Sequence, residues 1–247
     1  MEVISAKEIR LSIKTAKPHL QKLDTLYRLL PKTRCRCDQP GECCLFLPQM
    51  SWMEVLRWVD FILELPMGQR DFLFGRFLEF YLTNPARQSH CPFLNGGGCG
   101  IYDLRPFACR AYGLWSPKLG QSFTHLNRKE KKAFLDMWRR YDIDLPEATF
   151  TYELDYCRQV TVVEGEPLSD SELMQILSQL HKLDDLQPEL KYRFENGYQS
   201  DISVLIASLA WGPLKASLNK YAVIKDLVQK GSNARLIRLM AKKNELL

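Results

Sequence analysis

The amino-acid sequence predicts a mainly α fold: a helical domain with irregular cysteine-rich loops and one small β-hairpin. Three observations predict it. Three capping boxes, Ser5-Ala6-Lys7-Glu8, Ser51-Trp52-Met53-Glu54 and Ser169-Asp170-Ser171-Glu172, each precede apolar residues at helical spacing. Aperiodic sequence bearing glycine and proline is concentrated in two stretches, Lys32 to Gln49 and Gln88 to Trp115. Alternation with a period of two is confined to one region, near residues 150–163.

After the first box, Leu20, Leu23, Tyr27 and Leu30 recur at helical spacing until Pro31, and Pro18 is expected to divide this run into two pieces. The second box opens a helix whose Val55, Trp58, Val59 and Ile62 form an apolar stripe ending near Pro66-Met67-Gly68. Phe72, Phe77, Phe80 and Tyr81 then mark another helix running to Thr83-Asn84-Pro85, with the aromatics expected in the core. Asn127 to Tyr141 reads as a basic amphipathic helix with Phe134, Met137 and Trp138 on its apolar face. Phe150, Tyr152, Leu154 and Tyr156 alternate with polar residues, and Val160 to Val163 is β-branched, which suggests the two arms of a hairpin. The third box starts Leu173, Ile176, Leu177 and Leu180, and the remainder to Leu247 reads as helices, the last one basic from Asn233. Gly165-Glu166-Pro167 is the expected boundary between a cysteine-bearing domain, 1–165, and a C-terminal helical region, 166–247, packed on it.

With 247 residues and 46% apolar composition, the chain can bury a substantial core without help from its cysteines. Charges occupy the first residues where a secretory signal would be apolar, so the expected location is the cytoplasm, where thiols stay reduced. Ile202 to Trp211 is far short of the roughly 20 residues of a membrane span, so no membrane partner is expected. The net charge of +5 is spread among interspersed acids and bases and does not point to nucleic acid. The two basic helices are expected to be solvated.

Eight cysteines remain to be explained, and seven fall into two groups: Cys35, Cys37, Cys43 and Cys44, then Cys91, Cys99 and Cys109. Soft thiolates at short spacings on turn-rich loops suit zinc or an iron-sulfur cluster. Adjacent Cys43 and Cys44 are too close for a relaxed disulfide with each other. The glycines Gly96-Gly97-Gly98 allow a backbone to turn tightly around a guest, and Arg34, Arg36, Arg105 and Arg110 offset thiolate charge. Seven thiolates exceed the four of one closed zinc site, so two zinc sites, or one 4Fe-4S cluster with extra thiols, fit the count better. The spacings C-x-x-C-x-x-C and C-x-x-x-C-x-x-C are both absent. Cys157 is either an eighth ligand or a small core residue, and His90 adjoins Cys91 and could stand in for a thiolate. His19, His125 and His181 have no ligand-like company in the sequence.

Cys43-Cys44, then Cys91-Pro92-Phe93-Leu94, Cys99-Gly100-Ile101-Tyr102 and Arg105-Pro106-Phe107-Ala108-Cys109-Arg110 resemble the YkgJ-type cysteine-cluster proteins, a family with a metal-chelating C-x-x-C-x-x-C-C domain. The likeness runs from Cys35 to Gly113, and this chain departs from it in its leading C-x-C and the five residues before Cys43. It implies chelation of an iron-sulfur cluster or zinc by Cys35, Cys37, Cys43, Cys44, Cys91, Cys99, Cys109 and Cys157. One branch resembles flagellin lysine N-methylases, so a metal-dependent protein methyltransferase is an alternative expectation. A structural zinc module for a protein or nucleic-acid partner is another. No Ser-His-Asp or paired-carboxylate arrangement marks an enzyme of a different kind.

Overall fold

The computed structural model describes residues 3–35, 42–124, 128–147, 157 and 159–241. Helix α1 (Ala6–Tyr27) starts at its capping box: Ser5 Oγ accepts from the Glu8 N–H, and Glu8 Oε2 accepts from the Ser5 N–H at 2.7 Å. The other two boxes open α2 (Trp52–Glu64) and, further on, α7 (Asp170–Asp184) in the same way. Between them lie α3 (Met67–Thr83), the single turn α4 (Phe107–Arg110), α5 (Pro117–Thr124) and α6 (Arg128–Arg139). The chain continues through α8 (Pro188–Tyr198), α9 (Ile202–Trp211), α10 (Pro213–Lys230) and α11 (Ala234–Ala241). The mainly α class is what the capped apolar stripes dictate.

Helix α1 packs on α2 and α7, while α3 packs on α9, α10 and α11. Trp52, Trp58, Phe77, Phe194, Ile202 and Leu205 share one core, so helices from both ends of the chain exclude water from each other. Helix α9 is apolar on nearly all sides and is accordingly buried. A second core lies under the α1–α7 contact and includes Tyr27, Leu173 and Phe107 of the short α4. No helix among the described residues is long and apolar enough to cross a membrane.

Several sequence expectations are corrected. Helix α1 runs unbroken through Pro18. Buried Ile9, Ile13, Ala16, Leu23 and Leu26 lie on both sides of the proline and pack as one face, while Pro18 and Lys14 are exposed, so the Lys14 carbonyl that loses its donor can be hydrated. Phe72 is 62% exposed, whereas Phe77, Phe80 and Tyr81 are buried as expected. Val160–Glu164 is a strand, β4, but its partner is β1 (Lys32–Cys35) in the region read as a loop. The antiparallel register sets Cys35 opposite Val160 and Lys32 opposite Glu164, whose side chains form a 2.6 Å ion pair. The proposed other arm, residues 150–156, lies outside the described residues. The small hairpin is instead β2 (Leu94–Asn95) with β3 (Gly98–Cys99). Its two turn residues, Gly96 and Gly97, have φ of 55° and 82°, the backbone region a two-residue I′ turn requires at both positions.

Candidate metal centre

Three segments converge. A 3₁₀ turn, Glu42–Cys44, carries Cys43 and Cys44, and the Cys91 N–H donates to the Cys44 carbonyl at 2.5 Å. Cys91 leads into the β2–β3 hairpin, where Leu94 pairs with Cys99, the Leu94 N–H returns to Cys91 O at 2.9 Å and the Gly100 N–H to Phe93 O at 2.9 Å. Phe93 anchors this loop to the helices, edge-on to Trp58 at 4.7 Å and to Phe77 at 5.4 Å between ring centroids. A Cβ on Gly100 would stand 3.1 Å from Phe93 O, which keeps that crossing close to glycine. Cys109 rides on α4, whose first turn closes by Cys109 and Arg110 N–H bonds of 3.0 Å to Pro106 O.

The position of α4 is set by Glu54. This side chain, 3% exposed, accepts from the Ser51 N–H at 2.9 Å as its capping box requires. Its other oxygen accepts from the Phe107 N–H at 2.5 Å and from the Tyr27 hydroxyl. One carboxylate thus fastens α1 and the N-termini of α2 and α4. Burial pushes its pKa up, and the three donors pull it back. The sequence showed Glu54 only as a capping residue, because its other two partners are distant in the chain. Around the same loop Trp58 Nε1 donates to Leu104 O at 2.8 Å, the Arg110 guanidinium donates to Arg105 O at 2.7 Å and covers the Tyr27 ring at 4.5 Å, and Arg105 stacks over Tyr102 at 3.6 Å.

The thiols act on one another. A hydrogen bond with Cys43 raises the Cys44 pKa most, followed by burial and by the charges of Cys43, Cys91 and Cys109. Cys91 is pushed up to about 12, first by burial and then by Cys99 and Cys43, against the Phe93 N–H and Arg76. Cys109 lies well above its ordinary value through burial and the neighbouring Cys91, Cys43 and Cys99, with Arg105 opposing. Cys43, Cys44, Cys91, Cys99 and Cys109 are therefore brought into mutual influence, and Cys44, Cys91 and Cys109 among them resist ionisation.

The remaining cysteine candidates stand differently. Cys35, at the end of β1, is disulfide-bonded, so its sulfur offers a thiolate only after reduction. Cys37 lies outside the described residues. Cys157 is a free thiol that reaches this region through the backbone: its carbonyl oxygen would lie 3.2 Å from a Cβ on Gly113, whose φ is 81°. His90 is exposed beside Cys91.

Among the described residues, one group of three potential ligand atoms lies within 4.8 Å of one another, and it is His181, Asp184 and Glu195 rather than cysteines. His181 thus has company the sequence did not show, since Glu195 comes from α8. Asp184, however, already uses both oxygens on the N-terminus of α2, accepting from Trp52 N–H at 3.1 Å and Met53 N–H at 2.9 Å. Burial nevertheless raises its pKa to about 6. The Lys191 ammonium, 3.4 Å from His181 O, further disfavours a cation there.

The chain matches no protein-family model, no curated protein and no solved structure.

Proposed function

We propose that this is a cytoplasmic metalloprotein of the YkgJ-type cysteine-cluster kind, in which Cys43, Cys44, Cys91, Cys99 and Cys109 hold an iron-sulfur cluster or zinc. One observation carries the reading: thiols from three separate segments act on one another, and burial with neighbouring thiols holds Cys44, Cys91 and Cys109 neutral. A bound cation reverses that balance, because it stabilises the thiolates and displaces their protons. Four sulfurs around a single zinc stand about 3.8 Å apart, given Zn–S bonds of about 2.3 Å. No three of these sulfurs lie within 4.8 Å of one another among the described residues. When bound, such a cluster supplies a redox centre, whereas zinc supplies a fixed positive charge. The chain's own contribution is positional: Glu54 holds α4 and Cys109, Phe93 holds the hairpin, and Arg76 and Arg105 moderate the thiolate charge.

Anaerobic purification followed by iron, zinc and sulfide analysis and an optical spectrum tests the reading. Stoichiometric iron with sulfide, or stoichiometric zinc, is expected, with loss of metal in Cys91→Ser and Cys109→Ser. Wild-type protein carrying neither metal would falsify it. Because the thiols must lose protons to bind, loading should fall steeply as pH is lowered.

A further inference from the structure

The two segments joined by the Cys91 N–H to Cys44 O bond also line two adjoining hollows. One, of about 390 Å³, is bounded by Arg76, Glu79, Arg87 and His90. The other, of about 230 Å³, is bounded by Leu45, Phe46, Leu47 and Asn84, and the two share Phe80, Gln88 and Ser89. Arg76 donates Nη1 to Leu94 O at 2.9 Å, and Arg87 donates Nη2 to Glu79 Oε1 at 2.7 Å. A guanidinium has five N–H donors, so both retain donors for an anion. At the opposite end stands Asp201, whose Oδ1 accepts from the Ser203 N–H and hydroxyl at 2.7 Å each. The hollows are therefore basic at one end and acidic at the other, with leucine and phenylalanine side chains along the wall. Asn84 Oδ1 is buried in that wall without a hydrogen-bond partner.

We propose that these adjoining hollows bind a small amphipathic carboxylate, its carboxylate toward Arg76, Arg87 and His90 and its apolar chain against Phe46, Leu47 and Phe80. Asp201 repels the carboxylate and so fixes the direction of binding. Leu45 follows Cys44 and His90 precedes Cys91, so the ligand lies beside the thiols; its closeness to a metal rests on the metalloprotein reading, whereas binding itself does not.

Calorimetric titration of the full chain with hexanoate, acetate and hexylammonium tests this. Hexanoate should bind saturably, acetate at least about tenfold more weakly because it lacks the methylenes that leave water, and hexylammonium more weakly than hexanoate, because it meets the one carboxylate of Asp201 where hexanoate meets two guanidiniums. Arg87→Gln should weaken hexanoate about tenfold by removing a charge-assisted donor and leaving Glu79 unpaired, and Glu79→Gln should tighten it by freeing Arg87. Effects of opposite sign from two exposed neighbours are not produced by misfolding. Absence of saturable hexanoate binding, equal binding of hexylammonium, or indifference to both substitutions would overturn the proposal. Metal-bearing protein that ignores hexanoate defeats this inference alone, and metal-free protein that binds it defeats the metalloprotein reading alone.

Discussion

The cysteine loops and the C-terminal helices are held by different forces. Helices α8 to α11 are positioned by apolar faces pressed on α3 and on one another, with ion pairs such as Arg235–Asp226 at the surface. The loops around Cys43, Cys91, Cys99 and Cys109 have little regular structure and, beside the packing of Phe93 and Phe107, depend on directed bonds: Glu54 to Phe107, Trp58 to Leu104, Arg76 to Leu94 and Cys91 to Cys44. Apolar packing tolerates small adjustments, whereas a buried hydrogen bond fails when its geometry is lost. A ligand-bearing loop gains from the second kind of support, because sulfurs must be held in definite places.

Substitutions should separate the two regimes. The largest effect on stability is expected for Leu205→Ala in the shared core, about 2–5 kcal/mol from lost burial and the cavity left behind. If the regions are as independent as their forces suggest, the folded variant keeps its full metal content, and denaturant titration with metal analysis measures both. Glu54→Ala should cost somewhat less, about 2–4 kcal/mol, since the Phe107 N–H and Tyr27 hydroxyl lose their acceptor. Metal binding should fall with it, unlike in Leu205→Ala; equal metal retention in both would break the contrast.

A smaller effect comes from pH. The folded-state pKa of Asp184 is raised from 3.8 to about 6, so the folded chain holds this proton more tightly than the unfolded chain. Its contribution to stability is complete below pH 4 and is lost as pH rises to about 6, an effect of roughly 1–3 kcal/mol. Asp184→Asn should flatten that part of the stability profile. Glu8 behaves in the opposite sense and more weakly. Its carboxyl is held down at about 2, first by the hydrogen bond from Arg193, so its stabilisation is present above pH 4.5 and disappears as pH falls toward 2. Arg193 is buried but Glu8 is 38% exposed, so solvent screening should hold the contribution to about 1 kcal/mol, visible as a slightly flatter acid limb in Glu8→Gln.

By itself the sequence determined three of the helix starts, many of the apolar faces and the cysteines worth attention, because capping and helical periodicity act within a few residues. Ser5, Ser51 and Ser169 each bond the residue three places on, and Val55, Trp58, Val59 and Ile62 all turn inward. It also picked out Cys43, Cys44, Cys91, Cys99 and Cys109 through their spacing and turn-forming neighbours. Partnerships across long separations were decided only by the tertiary structure. Nothing local to Val160 selects Cys35 as its opposite residue, nothing in a capping box announces that Glu54 will also receive Phe107 and Tyr27, and nothing beside His181 signals Glu195. Such contacts depend on how whole helices pack, and packing depends on every apolar face at once.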